Sequence, residues 1–156
     1  MFVFIQNSKI TTIKDELQNE KPFAFDYSFW SHDGFTVNQE GYNEPTNEIY
    51  YDQKKVFDCM GREILDNAWE GYNCCLFAYG QTGSGKSYSM VGYGANKGIV
   101  PISCEEIFNR IKENTNEEKS FEVLVSMLEI YNEKTQDLLV PINNRLPGGL
   151  KIRESK

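Results

Sequence analysis

Eight residues, Gly80-Gln81-Thr82-Gly83-Ser84-Gly85-Lys86-Ser87, constrain this chain more than any others. They fit G-x-x-x-x-G-K-[ST], a loop that cradles phosphate groups. Gly80, Gly83 and Gly85 lack a Cβ, so the backbone can take positive φ and approach an anion closely. Successive N–H groups then line a concave nest suited to anions. Such a loop needs a strand before it and a helix after it. Cys74-Cys75-Leu76-Phe77-Ala78-Tyr79 is an apolar run of strand length and reads as a buried strand. Residues 86–91 can begin a helix whose first N–H groups and positive dipole end face the loop. The expected fold class is α/β, a phosphate-loop NTPase-type mixed sheet flanked by helices. Lys86 would reach the β- and γ-phosphates as a point charge, and Ser87 would put its hydroxyl on Mg²⁺. A Gly/Ser turn without a ligand is the plain alternative.

The 156 residues are enough for one domain with its own core. Hydrophobic residues make up 40%, aromatics 13% and charged residues 25%, which is the balance of a folded chain rather than a disordered one. The formal net charge of −7 argues against nucleic acid or an anionic membrane surface as a partner. The N-terminal residues read as neither signal peptide nor membrane anchor, and no apolar run approaches the roughly 20 residues of a bilayer span. Cys59, Cys74, Cys75 and Cys104 form no C-x-x-C pair, and they read as buried free thiols of a reducing compartment. His32 is the only histidine, so a Ser–His–Asp triad would rest on that one residue.

Along the chain, residues 1–14 read as a hairpin and 15–22 as a charged loop. Phe23, Phe25, Tyr27 and Phe29 alternate with smaller or polar residues, which predicts a strand whose aromatic stripe packs in a core or on a sheet face. Residues 31–51 read as a long surface loop. Val56, Met60, Ile64 and Ala68 recur every four residues and predict a helix, with Asp52 at its start and Gly71 at its end. Trp69 reads as a packing anchor. Gly92, Gly94 and Gly98 confine the helix after the phosphate loop, and Pro101 marks the first turn of the next one. Residues 121–131 predict a strand apolar on both faces. Residues 135–139 read as a short helical piece, 141–149 as loop, and 150–153 as an edge strand.

From Gly71 to Met90 the chain resembles a kinesin motor domain, and FAYGQTGSGKSYSM is far more specific than the loop alone. Gly98-Ile99-Val100-Pro101 with Cys104-Glu105-Glu106-Ile107-Phe108, then LEIYNE at 128–133 with Asp137-Leu138-Leu139, then Leu150-Lys151-Ile152-Arg153-Glu154, resemble family segments in the same order. Residues 25–32, FDYSFWSH, resemble the kinesin-3 group, whose members transport organelles and vesicles. The resemblance covers nearly the whole chain.

The resemblance implies that Gly80, Gln81, Thr82, Gly83, Ser84, Gly85, Lys86 and Ser87 bind the phosphates and Mg²⁺ of ATP. Lys86 would serve catalysis, and Tyr88 matches the position that packs near the adenine; a core tyrosine is the alternative there. It implies ATP hydrolysis coupled to movement along microtubules, a cytoplasmic, cytoskeletal location, and organelle or vesicle cargo. Nucleic acid and direct membrane insertion are not expected. The departures are specific. The Arg-x-Arg-Pro motif that helps hold the adenine is absent, and the stretch 36–51 is longer than usual. Neither switch I (Asn-x-x-Ser-Ser-Arg-Ser-His) nor switch II (Asp-Leu-Ala-Gly) occurs in the 156 residues. The chain therefore reads as the N-terminal, phosphate-loop half of a motor domain, residues 1–156, without the main microtubule-binding elements. Acidic tubulin would repel a chain of this charge. The other reading is a nucleotide-binding or interaction module without hydrolysis or motility. In the family, strands from later in the sequence flank the phosphate-loop strand, so residues 74–79 are expected to lack partners.

Overall fold

The computed structural model describes residues 2–6 and 9–153. The chain divides into two compact units, residues 1–114 and 115–156.

The first unit opens with an antiparallel sheet of β1 (Phe2–Gln6), β2 (Ile10–Lys14) and β3 (Glu20–Ala24). The β1–β2 hairpin is as expected, with Val3 opposite Ile13 and Ile5 opposite Thr11; residues 7 and 8 of its turn lie outside the described residues. The next connection is held by Asp15, whose Oδ1 accepts from the backbone of Leu17 and Asn19 at 2.8 and 2.9 Å. That early turn lets β3 begin at Glu20, inside the stretch read as loop. The aromatic stripe runs out of partner: Phe25 N donates to Lys9 O at 2.8 Å, and β3 has already ended at Ala24. Phe25 and Tyr27 are therefore exposed, not packed as expected. Tyr27 stacks on Phe29 at 5.7 Å, and Phe29 meets Tyr51 at 5.0 Å.

The long surface stretch holds a second hairpin, β4 (Phe35–Val37) with β5 (Asn43–Pro45). Asn38 Oδ1 organises its turn by accepting from Glu40 N and Tyr42 N at 2.9 and 3.0 Å. The predicted helix follows as α1 (Gln53–Val56), a π-helical turn at Phe57–Gly61, and α2 (Arg62–Trp69). Asp52 caps it, accepting from Lys55 N at 2.7 Å. Gly71, at φ 99°, ends it: Gly71 N reaches Ala68 O at 3.0 Å and Tyr72 N reaches Asn67 O at 3.1 Å, a Schellman closure.

The helix after the phosphate loop is short, α3 (Lys86–Met90), and a small hairpin of β6 (Gly92–Tyr93) and β7 (Asn96–Lys97) leads into α4 (Ile99–Glu113). Phe57, Leu65 and Ile99 form the core, with Val56, Leu76, Ile102 and Ile107 against it. A Cβ on Gly61 would lie 2.5 Å from the Phe57 ring and 3.2 Å from Ile99, so only glycine lets the helices close here. Arg62 bridges to Glu106 at 3.2 Å, and Arg110 pairs with Asp66 while its guanidinium covers the Trp69 ring at 5.6 Å.

The second unit carries the hairpin of β8 (Leu128–Tyr131) and β9 (Lys134–Asp137). Residues 134–137 are strand where a helical piece was expected. Asn132 and Glu133 take φ of 47° and 61°, and a two-residue turn with both φ positive folds the chain straight back on β8. Of the expected edge strand, Leu150 alone pairs, its N donating to Thr135 O at 2.6 Å.

Two further expectations are corrected. Residues 74–79 lack strand partners, as the resemblance implied, but they are exposed rather than a buried strand, with Phe77 and Tyr79 at 81% and 95%, and residues 121–127 likewise lie outside the paired strands. Among the described residues no strand flanks 74–79, and of the backbone of 121–127, Met127 O accepts from Leu138 N at 2.8 Å. All four cysteines are free, but Cys74, Cys75 and Cys104 are exposed and Cys59 is half-buried. Cys74 and Cys75 belong to that unpaired stretch.

Candidate functional site

The phosphate loop has the backbone its sequence requires. Gly80, Gly83 and Gly85 take φ of 153°, 81° and 92°, a region costly for any side chain. A Cβ on Gly80 would strike the Ser84 hydroxyl, whereas one on Gly83 or Gly85 would meet open space. Ser84 N donates to Gln81 O at 3.2 Å and closes the turn. Lys86 folds back across the loop, its Nζ donating to Gly80 O at 2.8 Å and Gln81 O at 2.7 Å. The ammonium is thereby fixed within the loop while Thr82, Ser84 and Ser87 stay exposed.

α3 starts at Gly85 with no side-chain cap on its first turn. The groups gathered here are a lysine ammonium, a serine hydroxyl and backbone N–H donors, a set suited to phosphate oxygens. Among the described residues no cluster of three His, Cys, Asp or Glu could hold a metal by itself. Ser87 would offer Mg²⁺ one hydroxyl.

Tyr88 is half-buried and its polar ends are engaged. Gln53, buried at the start of α1, donates its side-chain amide to Tyr88 O. Asn43 Nδ2 donates to Tyr88 Oη at 3.4 Å. The ring lies 6.1 Å from Tyr93, tilted by 31°. Burial, then the neighbouring Tyr50, pushes the Tyr88 phenol above its ordinary range. Below this layer Tyr42 donates to Asp52 Oδ2 at 2.8 Å, and burial followed by that carboxylate raises the Tyr42 phenol strongly.

Asn43, Gln53 and Asn96 were not singled out by sequence reasoning. Asn96 is buried, accepts from Asn43 N at 2.9 Å and donates to Gly41 O at 2.8 Å. Nothing local marks an asparagine in a glycine-rich turn as a tie to a segment more than fifty residues away.

Residues 3–156 match the family model for the kinesin motor domain. Kinesin-like protein KIF28 of Rattus norvegicus is 50% identical over 159 residues, covering 99% of this chain and 15% of that protein. Kinesin-related protein 1 of Dictyostelium discoideum is 51% identical over 140 residues, covering 88% of this chain and 6% of that protein. The chain thus spans a small part of the curated relatives it matches. A solved structure titled KIF14[391-772] dimer two-heads-bound state, with AMP-PNP and a microtubule, superposes with a TM-score of 0.75 at 40% identity. It covers 89% of this chain and 35% of that one. A second, KIF14[391-755] with ADP and a microtubule, gives 0.67 at 35% identity over 98% of this chain and 38% of that one. The α/β arrangement described above is part of the motor fold, and the chain belongs to the kinesin motor domain family.

Proposed function

We propose that this chain is the ATP-binding portion of a microtubule motor that couples ATP hydrolysis to movement. The observation that carries the reading is Lys86, held inside a glycine loop by the carbonyls of Gly80 and Gln81. A cation fixed at that place offers preorganised charge to a phosphate at little further ordering cost. The backbone N–H groups of Gly83, Gly85, Lys86 and Ser87 would supply the rest of the anion nest, and Ser87 would offer a hydroxyl toward Mg²⁺. Mg²⁺, when bound, would neutralise charge on the β- and γ-phosphates. Tyr88 would pack near the adenine. The KIF14 structures, which hold AMP-PNP or ADP on a microtubule, support the nucleotide and the track as ligand and partner. Organelle or vesicle cargo and a cytoskeletal, cytoplasmic location rest on the kinesin-3 resemblance. No helix among the described residues is long and apolar enough to cross a membrane.

A second reading is binding without hydrolysis. The exposed, unpaired residues 74–79 favour it, because the strand leading into the loop is not braced by a sheet. Titration with a fluorescent ATP analogue and Mg²⁺ tests the common core of both readings. Saturable binding that Lys86→Ala weakens at least about tenfold, or roughly 1.4 kcal/mol, is expected. Phosphate release above the Lys86→Ala control then separates the readings: release supports the motor enzyme, and its absence supports the binding module.

A further inference from the structure

We propose that Asn43 and Asn96 are positioning residues for the base of the bound nucleotide, acting through Tyr88. This rests on the nucleotide-binding reading above. Tyr88 lies two residues beyond Lys86 on the same five-residue helix, so whatever fixes its ring fixes an aromatic face beside the phosphate loop. Two groups hold it. Gln53 takes its backbone carbonyl from α1, and Asn43 reaches its hydroxyl from β5.

Asn43 can do this because its own backbone is anchored. The buried Asn96 side chain accepts from Asn43 N and donates to Gly41 O, which fastens the β4–β5 hairpin to the β6–β7 hairpin with one amide. Both polar ends of that amide are used, so it has one favourable orientation. With Tyr93 standing 6.1 Å from Tyr88, the arrangement presents a pair of rings whose placement is set by two asparagines. The ligand chemistry that fits rings beside a phosphate nest is an aromatic base, which stacks on them. The phosphates need none of this.

The test compares a fluorescent ATP analogue with inorganic tripolyphosphate, measured by competition, on the whole chain. Asn43→Ala and Asn96→Ala should weaken the analogue about threefold to tenfold, the size of one ordinary hydrogen bond. Tripolyphosphate affinity should change by less than about twofold, a readout that general loosening of the fold would not spare. Tyr88→Phe keeps the ring and removes the hydroxyl, so Asn43→Ala should have no further effect in that background. Equal losses for both ligands, or additive effects of Asn43→Ala and Tyr88→Phe, would overturn the proposal. If the unaltered chain binds the analogue and the asparagine variants bind it equally well, this inference fails alone. If the unaltered chain binds neither ligand, the nucleotide-binding reading fails and takes this one with it.

Discussion

The helical run 53–69 with α4 and the stretch 74–79 are both rich in apolar residues, yet only the helical elements supply the fully buried ones. Phe57, Leu65 and Ile99 are between 1% and 6% exposed, whereas Phe77 and Tyr79 are at 81% and 95%. A helix closes its own hydrogen bonds and needs only one apolar neighbour for its stripe. A strand closes none, and depends on another strand on each side before burial becomes affordable. Residues 74–79 have the composition of an inner strand without the partners, and only Leu76 reaches the core.

The largest expected effect follows directly. Phe57→Ala should cost about 3–5 kcal/mol by opening the centre of the core. Phe77→Ala should change stability by no more than about 0.5 kcal/mol, as at other exposed positions. Urea denaturation followed by circular dichroism measures both. A Phe77→Ala loss approaching that of Phe57→Ala would show that residues 74–79 are packed in solution, and the contrast would collapse.

The same contrast explains what the sequence made legible. Asp52 and Gly71 marked both ends of a helix because capping is decided within a few residues. The phosphate loop was legible for the same reason: three glycines and a lysine specify a local backbone. The strand reading of 23–29 had the right period and the wrong extent, since β3 ends where its neighbour β2 begins, and sequence alone does not give that register. The helical reading of 135–139 lost to a turn at Asn132 and Glu133 whose positive φ values return the chain as a strand. Around the candidate site, Asn96 stayed invisible because its work is to join residues 41–43 to residue 96.

An intermediate effect would sharpen the claim that helix ends are locally determined. Asp52 accepts from Lys55 N at 2.7 Å and from the Tyr42 hydroxyl at 2.8 Å. Asp52→Ala should cost about 1–2 kcal/mol, the cap and the stranded phenol together. Tyr42→Phe should cost less and should also change the alkaline limb. The folded-state phenol is raised above its ordinary 10.0, so its contribution is complete below pH 10.0 and is lost as pH rises beyond it. The variant should therefore show a flatter decline of stability above about pH 10, read by urea melts across that range. An unchanged slope would mean that the hydroxyl is neither buried nor held by Asp52.

The smallest effect concerns the exposed side of the same helix. Burial alone would raise the Asp58 carboxyl, but hydrogen bonds from Lys54 and Arg62 outweigh it, and the folded value lies below the ordinary 3.8. Those bonds are 2.7 Å from Lys54 and 2.6 Å from Arg62. A depressed carboxyl contributes stability that is fully present above about pH 4 and is lost as pH falls through its folded value. The side chain is 37% exposed, so solvent screens the pair and the contribution stays below about 1 kcal/mol. Asp58→Asn should lower stability slightly at neutral pH, and the difference should shrink as pH falls below 3.8. High salt should shrink the neutral-pH difference. A difference that persists unchanged in acid would assign the effect to shape rather than charge. The helix would then owe its stability to the core stripe and caps alone, which would widen its contrast with the unpaired strand.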